Sequence, residues 1–129
     1  MTENNEDRRI SNRKRACMLE YGDSLVCVDP SLGILELIGK KYTIMIIGVI
    51  GNSGNRKNFN EILNDIPFSS STIISRRLKE LQEIGLVERI SESGRISYKL
   101  TDLGSKLREA LHPLLILMDA DNMQNTHIT

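Results

Sequence analysis

Thr72, Ser75, Arg76 and Lys79 recur at spacings that share one face of a helix, inside the stretch SSSTIISRRLKELQEIG from Ser69 to Gly85. Hydroxyls and cations of this kind hydrogen-bond to phosphate oxygens and to base edges, and no acid falls between Ser69 and Lys79. Acids return at Glu80 and Glu83, in the last turns. Ile74, Leu78, Leu81 and Gly85 make the opposite stripe at intervals of four, three and four residues, which predicts one buried helix face. Ser70 is the natural N-cap, its hydroxyl open to a free N–H of the first turn. A helix that is cationic and hydroxyl-rich at its start, and apolar behind, has what a major-groove reading helix needs. Ser70, Ser71, Thr72, Ser75, Arg76 and Lys79 are the expected DNA contacts. An ordinary amphipathic surface helix would carry the same stripe, so the flanking elements decide between the two.

After the helix, Val87 to Leu100 reads as two short strands around Ser93-Gly94. The second alternates, with Ile96, Tyr98 and Leu100 on one face and Arg95, Ser97 and Lys99 on the other. A hairpin with a cation at its tip, directly behind a reading helix, is the pattern of a winged helix-turn-helix, and it adds Arg95 as a wing contact. On the other side, Asn58 with Glu61 three residues on forms a capping box that opens a short helix through Phe59, Ile62 and Leu63. Pro67 marks the turn between the two helices.

The remaining elements supply a scaffold. Asp29-Pro30 is read as the N-cap and first position of a helix through Leu32, Leu35 and Ile38. The apolar run Ile44 to Ile50 is taken as a buried helix despite its β-branched content. Residues 16–21, ACMLEY, are read as a short helix stopped at Gly22, and 52–57, NSGNRK, as a loop. Thr101 and Asp102 cap a final helix that Pro113 should kink or divide. Its later part is apolar nearly all round, which predicts a homodimer through 103–118, with Leu107, Leu111, Leu114, Leu115 and Met118 at the contact. The expected organisation is a polar, basic extension over 1–22, a winged helix-turn-helix domain over 23–119, and a polar tail over 120–129. The fold class is mainly α with a small β-hairpin wing.

Composition sets the outer limits. A chain of 129 residues with 40% hydrophobic and 26% charged residues suits one globular domain. Formal net charge is zero, yet Ser70 to Arg108 carries eight Lys and Arg against five acids. A local basic face suffices for phosphate binding. The polar start and the lack of any membrane-length apolar run lead us to expect a cytoplasmic protein. The Arg8, Arg9, Arg13, Lys14 and Arg15 run invites a reading as a DNA-backbone arm, although most such runs are simply solvated. Cys17, Cys27, His112 and His127 show no metal-ligand spacing, and no phosphate loop, nucleophile motif or carboxylate pair suggests catalysis or a cofactor. The competing function is a winged helix that serves as a protein–protein interaction module in a larger assembly.

In order, CVDPSLGILELIGKKYTIMII, FNEIL, SSSTIISRRLKELQEIGLVER and YKLTDLG resemble the landmarks of the HxlR family of winged helix-turn-helix regulators, relatives of the MarR group. The resemblance runs from Cys27 to about Asp119. It implies a dimeric DNA-binding transcription regulator that dimerises through its terminal helices. It also implies that Cys27, just before the first core helix, takes the position at which some members sense oxidants or electrophiles. From its flanks alone, Cys27 reads as an inert small hydrophobe. Tyr42 stands where the family usually has Trp, and the wing lacks the usual Pro-containing segment.

Overall fold

The computed structural model describes residues 17–120, which fall into two units with the boundary between Glu36 and Leu37. That boundary lies inside the 23–119 span that the sequence suggests is a single domain. The basic run at Arg8 to Arg15 and the tail beyond Ala120 lie outside the described residues.

In the first unit, β1 (Cys17–Tyr21) pairs antiparallel with β2 (Ser24–Val28) across a turn at Gly22-Asp23. The expected helix over 16–21 is therefore incorrect for its described residues, 17–21. Asp29 does not cap a helix either. Its Oδ1 accepts from the Ser31 N–H at 2.9 Å and the Ser31 hydroxyl at 2.7 Å, closing a local turn that competes with helix initiation. Helix α1 (Gly33–Ile38) starts later and crosses the unit boundary.

The second unit is built around α2 (Thr43–Ile50), a helix as expected, whose Ile46, Ile47 and Ile50 are fully buried. Helices α3 (Phe59–Asp65), α4 (Ser71–Glu83) and α5 (Asp102–Leu117) pack against it. They bring Ile62, Ile74, Leu78, Leu81 and Leu111 into one core. The wing is a three-stranded sheet in the order β3 (Arg56–Lys57), β5 (Arg95–Leu100), β4 (Val87–Glu92). Strand β3 falls in the expected 52–57 loop, because a two-residue strand exists only through its pairing with β5. Burial along β5 runs from Leu100, which is buried, through half-buried Tyr98 to exposed Ile96. The wing is thus rooted in the core at one end and free at its tip. Ser93 (φ 50°) and Gly94 (φ 76°) form that tip, the two left-handed residues a tight right-twisted hairpin requires.

Local caps set the helix starts. Asn58 and Glu61 form the full reciprocal capping box of α3. The Ser70 hydroxyl accepts from the Ile73 N–H at 3.2 Å to start α4. Thr101 accepts from the Gly104 N–H at 3.1 Å and donates to the Gly85 carbonyl at 2.6 Å, tying the start of α5 to the end of α4. Gly104 lets α5 approach the link between α4 and β4 closely, since a Cβ there would collide with the Leu86 carbonyl oxygen. Helix α5 continues through Pro113 as a single element, so the expected division does not occur.

Candidate nucleic-acid interface

The buried stripe of α4 fixes which side chains face out. With Ile74, Leu78 and Leu81 in the core, Ser71, Thr72, Ser75, Arg76 and Lys79 are all exposed, as is Ser70 at the cap. Among the described residues, neither Arg76 nor Lys79 has a carboxylate partner. The one acid on this face is Glu83, at the far end, so Arg76 and Lys79 leave the middle of the face positive and its start lined by hydroxyls.

Arg77, next in sequence, has the opposite role. Its Nε donates to the Lys41 carbonyl at 3.1 Å and its NH1 to Glu80 at 2.6 Å. Glu80 also accepts from Lys40 Nζ at 2.7 Å. Chiefly the Lys40 hydrogen bond, with that of Arg77, holds the Glu80 carboxyl below the usual carboxylate range, against the opposing effect of partial burial. The Tyr42 hydroxyl donates to the Phe68 carbonyl at 3.0 Å. Three consecutive residues, Lys40 to Tyr42, therefore hold both the middle of α4 and the loop that leads into it. Sequence reasoning missed this network because its partners lie 26 to 40 residues apart.

Arg95 is exposed at the wing tip, directly opposite Glu92. Arg56, inside the segment whose sequence suggests a loop, lies on the same face of the sheet by register. It donates to Ser97 Oγ at 2.6 Å and to Glu92 at 3.0 Å. A cleft of about 230 Å³ lies beside these residues, lined by Arg56, Lys57, Arg95 and the first turn of α3.

A short helix, a tight turn, a capped helix with an unpaired basic face, and a sheet wing behind it make up a winged helix-turn-helix. The profile of the HxlR-like helix-turn-helix family matches residues 37–126. The chain belongs to this family. It is accordingly a DNA-binding transcription regulator. A crystal structure described as a possible HxlR family transcriptional factor from Thermoplasma volcanium GSS1 is 50% identical, with a TM-score of 0.75, over 80% of this chain and 94% of that one. The curated regulator YvaP of Bacillus subtilis (strain 168), described as an uncharacterized HTH-type transcriptional regulator, is 37% identical over 84 residues, 63% of this chain and 72% of YvaP. The structure of reduced YodB from B. subtilis is 31% identical with a TM-score of 0.58, covering 65% of this chain and 83% of YodB. YodB is also known in diamide-treated and quinone-bound forms.

The other expected sites are less uniform. Cys27 is exposed on β2, so the expected burial of its side chain is incorrect. Cys17 pairs in register with Val28 and Cys27 with Met18, so the two thiols project from opposite faces of the hairpin and cannot bridge each other in this register. Of the expected dimer residues, Leu114 and Met118 are exposed and Leu107 and Leu115 half-buried. Leu111 is only 6% exposed and belongs to the core of its own chain, so it is removed from the contact. Exposed Ile116 and Leu117 extend the patch instead. Among the described residues, no helix is long and apolar enough to cross a membrane.

Proposed function

We propose that the protein reads a specific duplex as a homodimer, with α4 in the major groove of each half-site. Arg76, with Thr72 and Ser75, contacts base edges, Ser70, Ser71 and Lys79 contact phosphates, and Arg95 reaches the backbone or minor groove from the wing. The unpaired, exposed Arg76 and Lys79 on the face opposite the core carry this reading. It requires no catalytic residue or cofactor, and it fits the cytoplasmic location expected from the sequence. The direct test is anisotropy binding to a duplex selected from a random library by the wild-type protein, against a scrambled duplex, across a salt series. Preference for the selected duplex, with log affinity falling as log salt rises, supports the reading; equal affinity for both rejects it.

The dimer reading rests on Leu114, Ile116, Leu117 and Met118, which form an exposed apolar end to α5. Leu114→Ser with Leu117→Ser should shift the species seen by light scattering from dimer to monomer. A wild-type monomer at binding concentrations would remove this element. A redox response is the second reading, supported by the exposure of Cys27 and by likeness to YodB, known in reduced and diamide-treated forms. Oxidant should alter DNA affinity in the wild type and leave Cys27→Ser unchanged. An equal response in both proteins would exclude Cys27 as the sensor.

A further inference from the structure

Phe68 stands two residues before the N-cap of α4 and is fully exposed. Its φ of 63° lies in the left-handed region, which is unfavourable for a bulky L-residue. The loop around it is nonetheless held. The Phe68 carbonyl accepts from the Tyr42 hydroxyl at 3.0 Å, and the Ser69 hydroxyl donates to the Ile66 carbonyl at 2.8 Å. Tyr42 is buried and itself left-handed, at φ 74°. Two strained residues thus face each other through one hydrogen bond, and its product is a fully solvated aromatic ring. The ring adds nothing to the core. Strained backbone held by its surroundings concentrates at functional sites, and this strain lies at the end of α4 that would enter the groove.

We propose that Phe68 is a specificity-determining DNA contact whose ring packs against a thymine methyl at the edge of the major groove, with Tyr42 as the positioning residue behind it. The chemistry fits, because the C5 methyl of thymine is the apolar feature of the major groove and meets apolar side chains. The assignment rests on the docking of α4 proposed above.

The test takes the duplex selected by the wild-type protein and replaces each dT singly by dU, which removes only the methyl group. In each half-site, one replacement should weaken wild-type binding about fourfold, the worth of one buried methyl-sized group. Phe68→Gly should bind the parent duplex about tenfold more weakly and show no further loss at that dU. Glycine relieves the left-handed strain, so the thermal midpoint should hold or rise, and lost affinity cannot be ascribed to unfolding. Phe68→Asn tolerates the same backbone and provides the comparison if the glycine variant folds poorly. Tyr42→Phe keeps the ring and frees the carbonyl. It should reduce discrimination at the same thymine while leaving the salt slope intact. A wild-type protein that fails to distinguish selected from scrambled DNA would remove the docking of α4. A wild-type protein that does distinguish them, with Phe68 variants equal to it on parent and dU duplexes, would overturn the Phe68 assignment and leave the docking standing.

Discussion

The outer face of α4 and the outer face of the wing both carry arginines, and their surroundings differ. On α4, Arg76 and Lys79 face solvent with no carboxylate within ion-pair distance among the described residues. On the wing, Arg56 is held by Glu92 and Ser97, and Arg95 stands opposite the same Glu92. A cation that already has a counter-charge gains less from a phosphate, because the new contact must offset the loss of the existing pair. The α4 cations should therefore dominate affinity and the wing cations should tune it.

This contrast is open to test, beginning with its largest consequence. Arg76→Ala should cost about 1–3 kcal/mol of binding to the selected duplex and relax the base preference at one position, read by competition between duplex variants. Lys79→Ala should weaken selected and scrambled duplexes alike and reduce the salt slope by about 1. Arg77→Ala, one residue from Arg76, should lower the thermal midpoint and leave the salt slope unchanged, because Arg77 is already committed to Glu80 and the Lys41 carbonyl. Glu92→Gln should raise affinity at low salt by about 0.5 kcal/mol or less, since it removes one exposed counter-charge from Arg56. A larger gain would mean that the wing contributes as much as α4.

Acid offers an independent test of the inner face of α4. The folded-state pKa of Glu80 is lowered, so its pairing with Lys40 and Arg77 contributes fully above the ordinary carboxylate range. The contribution is lost as pH falls through the lowered value. Thermal midpoints of the wild type and Glu80→Gln should therefore differ near neutral pH and converge in acid. A constant difference across that range would contradict the pairing.

What was legible in the sequence is what is locally encoded. The caps at Asn58, Ser70 and Thr101 each satisfy backbone groups within three residues, and the α4 stripe is a matter of spacing alone. The exposed set on α4 follows directly from that stripe. The β1–β2 hairpin escapes a local reading because CMLEY lacks a clear period, although Gly22-Asp23 between two apolar runs is a usable turn signal. Asp29 can serve as an N-cap or close its own turn, and its bonds to Ser31 select the turn. Strand β3, the Arg56 clamp and the Lys40–Glu80–Arg77 network depend on distant partners, which no local pattern encodes. Leu111 shares the apolar face of α5 with Leu107 and Leu114, and only packing shows that it faces inward.

The measurement that tests the central claim most directly is the salt dependence of binding for wild type and Arg76→Ala, on selected and scrambled duplexes in parallel. The wild type should prefer the selected duplex, and Arg76→Ala should lose most of that preference while still binding both weakly at low salt. Undiminished preference in Arg76→Ala would contradict the assignment of α4's unpaired face as the reading surface.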